Sequence, residues 1–322
     1  MQASELESAL AALKKEYPKL ASRIRKLEHT VVCDAQGVIL RLHYPSLRQG
    51  QATMVELTDA LCHFLIPFAL PRSEVSQVMD LYGFVDREEF TQRYDQLSEK
   101  ARNLFKKANE ATNRNGEAGE LLLYLLTEWV LSAPQLIAKM SLKTNRDMPV
   151  HGADGIHACY CPDTQRLLLY WGESKLYADV SSAISSAITS VVDALRPEKL
   201  KHEIDLVQRH VEFAGLDSAA KEALLRYLDP FEENYNERHD VITCLIGFDF
   251  EAFMTLSAAD AQGAEAAFNT LAEAKLSELA PYISEKLKKS GLIGRPIEFF
   301  LFPMPSVQKF RDLFQAKIGW KK

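Results

Sequence analysis

Apolar and polar positions along this chain recur with two periods, and the change from one period to the other marks its elements. Over residues 4–28, Leu6, Leu10, Leu13 and Tyr17 fall at helical spacing behind Ser4 and Glu7, a capping-box pair, which predicts an amphipathic helix. Residues 31–33 and 38–42, split by Asp34-Ala-Gln-Gly37, read as a β-hairpin. Helices are expected over 53–65, ending near Pro67, and over 72–81 and 86–109. The last is heavily charged, so its outer face is expected in solvent. Asn113-Arg-Asn-Gly116 is a turn-like break. We divide the chain there into an N-terminal α+β region, 1–110, and a second unit, 111–322.

The second unit carries the stronger pattern. Residues 117–131 are apolar nearly all round (Leu121, Leu122, Leu123, Leu125, Leu126, Trp129, Val130), which predicts a buried helix. Two strand-like runs follow, 152–161 and 166–174. A helix over 178–195 has the stripe Val180, Ile184, Ala187, Val191 and Leu195, and its small residues permit close packing on a sheet. Helices over 198–213 and 217–228 lead to 240–248, a continuous apolar strand as expected for one buried on both faces. A helix over 262–289, a strand over 298–302 and a helix over 306–317 close the chain. This order predicts an α/β fold, a mixed sheet flanked by helices.

Composition adds bounds. The chain has 322 residues, 47% of them hydrophobic and 25% charged. A core of useful size is attainable, and disordered, collagen-like and disulfide-miniprotein classes are excluded. The net charge is −6, against the basic excess usual in proteins that coat nucleic acid. The start has neither a basic nor an apolar leader segment, so no secretory signal is expected. The run over 60–70 contains His63 and Pro67 and is too short to span a bilayer. The odd, scattered set Cys33, Cys62, Cys159, Cys161 and Cys244 argues against a disulfide framework. The expectation is a reduced cytoplasmic protein with no membrane partner.

The candidate chemistry lies in the two adjacent strands. A hairpin closed by Pro162-Asp-Thr-Gln165 pairs Cys161 with Arg166 and sets Asp154 opposite Glu173. Opposed residues share a face, with Cβ atoms about 4.5–5.5 Å apart. The rest of that face is apolar: Ile156, Ala158 and Tyr160 against Leu167, Leu169 and Trp171. Lys175, two residues on from Glu173, lies on it too. Two carboxylates so close repel unless a proton or a metal compensates. Hard cations, Mg²⁺ foremost and Mn²⁺ after it, take such oxygen ligands. A neighbouring lysine can orient a water or offset charge developing on a phosphate. A glutamate on the preceding buried helix completes such a site: Glu120 is the better candidate, with Glu117 on the same face as second choice. Glu-x-Lys alone is usually an exposed strand edge; the coincidence of all these features is what points to phosphodiester cleavage.

The motifs Gly119-Glu120, His151-Gly-Ala-Asp154-Gly and Trp171-Gly-Glu-Ser-Lys175 resemble those of the PD-(D/E)xK nuclease superfamily. They resemble more closely the HamA effector family of the bacterial Hachiman anti-phage system. A weaker likeness extends over most of the chain, including Ile66-Pro-Phe-Ala-Leu-Pro71 and Phe299-Phe-Leu-Phe-Pro303. The resemblance implies a restriction-endonuclease-like core and a Mg²⁺-dependent DNase held inactive by a partner helicase, HamB, and released on sensing aberrant DNA. By position it implies that Asp154 and Glu173 bind metal with the Ser174 carbonyl, that Lys175 positions the attacking water and that Glu120 supports the metal site. The superfamily's proline before the aspartate is replaced here by Ala153.

Other conspicuous residues carry plainer readings. His157, Cys159 and Cys161 alternate onto the opposite face from Asp154 and stretch over about 13 Å, too far to share a zinc ion. His151 stands nearer the site, as a DNA or supporting contact or with no role. Trp171 and Tyr170 read as packing rather than base stacking. The C-terminal Lys309, Arg311, Lys317, Lys321 and Lys322 read as solvated more than as phosphate contacts. A reading of another class stays open: a catalytically silent interaction subunit that regulates a helicase partner. The acidic charge and the long helical region before Asn113 favour it.

Overall fold

The computed structural model describes residues 2–28, 33–112, 116–143, 152–211, 215–256 and 261–320. The N-terminal region runs α1 (Gln2–Ala12), α2 (Pro18–Ala21), β1 (Ile24–Lys26), β2 (Val38–Pro45), β3 (Leu47–Arg48), β4 (Gln51–Ala52), α3 (Met54–Cys62), α4 (Leu65–Ala69), α5 (Arg72–Met79) and α6 (Arg87–Thr112). Then come α7 (Glu117–Val130), β5 (Gln135–Ile137), α8 (Lys139–Lys143), β6 (Gly155–Cys161), β7 (Arg166–Tyr177), α9 (Val180–Ala194), α10 (Pro197–His210) and α11 (Ser218–Arg226). The chain closes with β8 (Arg238–Asp249), α12 (Ala252–Thr255), α13 (Ala261–Lys289), β9 (Ile297–Met304) and α14 (Val307–Ile318).

Seven strands form one mixed sheet in the order β1-β2-β9-β8-β7-β6-β5. β2, β9, β8 and β7 run parallel in its centre, and β6, β5 and β1 add antiparallel at the flanks. The continuous apolar runs of β8 and β9 sit where both faces are covered, as parallel strands require. Period-two alternation sorts their side chains. Ile242, Cys244, Ile246 and Phe248 join the core under α9 and α13. Leu245, Phe300 and Phe302 join the core under α7 and α14. The two layers of helix thus enclose an α/β sandwich.

Two expectations are corrected. The helix expected over 4–28 ends at Ala12 and restarts at Pro18, and the chain is already in β1 by Ile24. Pro18 has no N–H to give a continuing helix and disfavours helical backbone at the residue before it. The hairpin expected between 31–33 and 38–42 is replaced, among the described residues, by pairing of β2 with β1 (Arg25 opposite Tyr44) and with distant β9 (Leu40 beside Phe299); residues 29–32 lie outside the described set. The boundary read at Asn113-Arg-Asn-Gly116 also falls largely outside it. Elements on either side of it share sheet and core: Leu57, Leu61 and Phe105 pack in one cluster with Leu121, Phe300 and Phe310.

Two histidines are locked neutral inside this scaffold. His43 packs its ring 5.7 Å from that of Phe300, and burial pushes its pKa down to about 3, helped by the Arg41 and Lys26 charges. His157, whose Nδ1 meets the Ala133 carbonyl at 2.9 Å, is pushed down to about 4 by burial. The unfolded chain takes up these protons below about pH 6.5, the folded one does not. Stability is therefore fully present above that pH and lost on acidification, by roughly 2 kcal/mol per histidine at pH 5. Differencing a variant against the parent cancels other titrations. We expect His43→Phe to lose about 2 kcal/mol less than the parent between pH 7.5 and 5 in denaturant unfolding. Parallel pH profiles would refute the assignment.

Candidate active site

The β6–β7 hairpin closes through the expected turn. Its register runs from Cys161 opposite Arg166 to Gly155 opposite Gly172, as read from the sequence. β6 stops one residue short of Asp154, but the pairing continues through it. The Asp154 amide donates to the Gly172 carbonyl at 2.6 Å. Its Oδ2 accepts from the Ser174 amide at 2.8 Å and from the Ser174 hydroxyl at 3.0 Å. The carboxylate thus stands where a backbone carbonyl of β6 would have satisfied β7. Glu173 and Lys175 alternate with Ser174 along β7, and Lys175 Nζ lies 2.5 Å from Glu173 Oε1 with side chains 23% and 12% exposed. The face predicted to be apolar is so: Ile156, Ala158, Leu167, Leu169 and Trp171 are buried in one cluster.

The charges sense one another. Burial pushes the Glu173 carboxyl up to about 7, and the Asp154 charge adds to the rise against the pull of Lys175 and a Ser190 hydrogen bond from α9. Burial works to lower Lys175, but the Glu173 charge and hydrogen bond and the Asp154 charge outweigh it and hold the ammonium above its ordinary value. Cys244, the β8 neighbour of Glu173, is fully buried and its thiol pushed up, so no thiolate competes here. A cleft of about 450 Å³ beside Ser190 is lined by Thr189, Asp193, Arg196 and Ser290.

α7 crosses the other face of β7. A Cβ on Gly119 would lie 3.0 Å from Leu176 Cγ and 3.3 Å from Ser174 Oγ, so glycine lets the helix settle directly over the Ser174 end of the strand. Glu120, next along, is half-buried in the first turn of α7. Glu117 is buried and acts on Arg311, whose guanidinium donates to the Leu176 carbonyl at 2.7 Å. The structure therefore brings Asp154, Glu173, Ser174 and Lys175 together. Among the described residues no group of three or more His, Cys, Asp or Glu side chains is spaced to hold a metal ion, so Glu120 does not form such a group with the pair. Ser190 was not expected; as one hydroxyl on a helix rich in small residues it has no local signature.

His157 packs on Tyr124 of α7, and Cys159 Sγ lies 3.8 Å from the Tyr170 hydroxyl, away from Asp154. Trp171 is buried and donates to Asp240 Oδ1 at 3.0 Å. Lys317 pairs with Asp59. His151, Lys321 and Lys322 lie outside the described residues. No described helix is long and apolar enough to cross a membrane.

A mixed α/β sandwich with a carboxylate pair and a lysine at one strand end defines the class. The HamA family model matches residues 22–318, nearly the whole chain, and the chain belongs to that family, the HamA proteins of the Hachiman system. No curated protein matches it.

If Asp154 and Glu173 share one site, neutralising the first must ease ionisation of the second. Carbon-detected carboxylate NMR should place the Glu173 midpoint at about 7 in the parent. We expect it lower in Asp154→Asn and higher in Lys175→Met. A midpoint indifferent to Asp154→Asn would separate the two groups.

Proposed function

We propose that the chain is a metal-dependent DNase with a PD-(D/E)xK core, acting in anti-phage defence beside a HamB-like helicase. The observation that carries this reading is the Asp154–Glu173–Lys175 set at the end of one β-ladder, in a chain of the HamA family. The donor set fits a hard divalent cation: a carboxyl that burial, and then the neighbouring Asp154 charge, drive toward protonation gains from a positive charge placed at the pair. Asp154, Glu173 and the Ser174 carbonyl would hold Mg²⁺ or Mn²⁺. The ion, when bound, supplies positive charge against that developing on a phosphate in hydrolysis.

The protein's own groups do the rest. Ser174 fixes the Asp154 carboxylate through two hydrogen bonds, so its orientation is set before substrate arrives. Ser190 and Lys175 orient Glu173. The Lys175 ammonium, held protonated, positions the attacking water and faces the phosphate. Phosphate contacts dominate nonspecific DNA affinity, and a chain of net charge −6 supplies few, so the helicase delivers the DNA as well as holding the nuclease inactive.

Plasmid DNA with Mg²⁺ tests the chemistry. The purified protein, alone or with its activated partner, should degrade it, and Glu173→Ala/Lys175→Ala should lose about 100-fold or more. Equal degradation by both proteins would sink the nuclease reading. Absence of any Asp154-dependent binding of Mg²⁺ or Mn²⁺, with no cleavage under any condition, would favour a silent interaction subunit.

Residues 1–110 are proposed as partner-facing. What supports this is the α5–α6 corner, where Tyr82 and Phe84 stand 75% and 87% exposed. Tyr82→Ser/Phe84→Ser should weaken capture of the helicase by about tenfold with no loss of thermal stability. Undiminished capture would move the interface elsewhere.

A further inference from the structure

A buried ion pair grips the chain one residue ahead of Asp154. Lys139, opening α8, and Glu203, in α10, leave 2% and 4% of their side chains exposed. Lys139 Nζ donates to Glu203 Oε2 at 2.8 Å, to Oε1 at 3.1 Å and to the Ala153 carbonyl at 2.5 Å. Gly152, at φ +138°, passes so close that a Cβ there would lie 1.8 Å from Glu203 Oε1. The void between Ala153, Trp171, Leu200 and Glu203 is about 20 Å³, room for roughly one water, so the segment has little space to relax.

The consequence is a two-sided hold on consecutive residues. The ammonium takes the carbonyl of Ala153 from below, and β7 takes the amide of Asp154 through Gly172. Between them the backbone entering Asp154 is fixed, and with it the direction from which the carboxylate meets Ser174. Stability alone is a poor account of such a pair. Desolvating two charges costs several kcal/mol, and apolar side chains of similar volume often serve a core as well. An ammonium aimed at one backbone carbonyl is geometry that no apolar replacement supplies.

We propose that Lys139 and Glu203 are positioning residues that set Asp154 against Ser174 and Glu173. As a statement about catalysis this rests on the nuclease reading; as a statement about where Asp154 sits it does not. The test replaces both charges at once, as Lys139→Met/Glu203→Leu in the full chain. It follows amide exchange at Ser174, which donates to Asp154 Oδ2, with Leu169 in mid-β7 as the internal reference.

We expect a thermal midpoint equal to or above the parent's. The Ser174 amide should exchange at least about tenfold faster relative to Leu169, and Mn²⁺ affinity by calorimetry should fall by about tenfold. A merely structural pair would lower the midpoint and leave that exchange ratio alone. Unchanged Ser174 exchange in the folded variant overturns the proposal, whatever becomes of Mn²⁺ binding. If the parent neither binds Mn²⁺ nor cuts DNA, the nuclease reading fails and the exchange ratio alone still decides this one. If the double variant does not fold, Gly152→Ala takes its place: its Cβ dislodges Glu203 locally, and unchanged Ser174 exchange there is equally fatal.

Discussion

Burial of Glu173 beside the like charge of Asp154 is the constraint around which this end of the molecule is organised. The rise of the Glu173 pKa from 4.5 to about 7, which comes first from burial and then from the Asp154 charge, disfavours its ionised form by roughly 3 kcal/mol. Left to themselves, two such groups on adjacent strands would swing apart into solvent. Three things prevent it. Asp154 is tied by the Ser174 amide and hydroxyl, Glu173 by Lys175 and Ser190, and the backbone between them by the last rungs of the β6–β7 ladder. The cost of burying and crowding these carboxylates is thereby retained rather than relieved, which is the condition under which a cation gains most by entering.

Holding charges in an unfavourable arrangement requires a scaffold stiffer than the repulsion. β7 supplies it as the fourth of four parallel strands, paired with β8 from Leu167 to Tyr177 and covered on both faces. α9 covers the face bearing Glu173 and adds Ser190. α7 covers the other and comes close at Gly119, directly over Ser174. Side chains in such a sheet are set by pleat and register, so a shift of one residue would turn Glu173 and Lys175 onto the α7 face and Ser174 away from it. Site geometry and sheet register are one and the same specification.

This explains what could be read from the sequence. The hairpin and its carboxylate pair were legible because turn chemistry, period-two alternation and a short separation all act locally. So were β8 and β9, whose apolar runs announce burial on both faces. Pairing between distant segments was not: β2 looked like half of a local hairpin, yet lies between β1 and β9, and nothing near residue 40 encodes a partner near residue 299. Pro18 inside an apparent helical stripe was a local signal, and it prevailed over the periodicity around it. β5 and the β3–β4 pair are too short to leave a pattern. Lys139 and Glu203, 64 positions apart, are charged residues that surface statistics assign to solvent, and only the assembled core shows them buried.

The net charge of −6 acquires a different meaning once the site is drawn. Part of it belongs to Asp154 and Glu173, groups whose charge a cation would neutralise locally on the proposed reading. Glu173, poised at about 7, carries only part of its charge at neutral pH. On the nuclease reading, then, the acidic balance is in part the metal-binding chemistry of the site itself. What remains is a net acidic chain, and phosphate contacts dominate nonspecific DNA affinity. If the site cleaves DNA as proposed, low intrinsic affinity and dependence on a helicase would be two consequences of that one electrostatic fact.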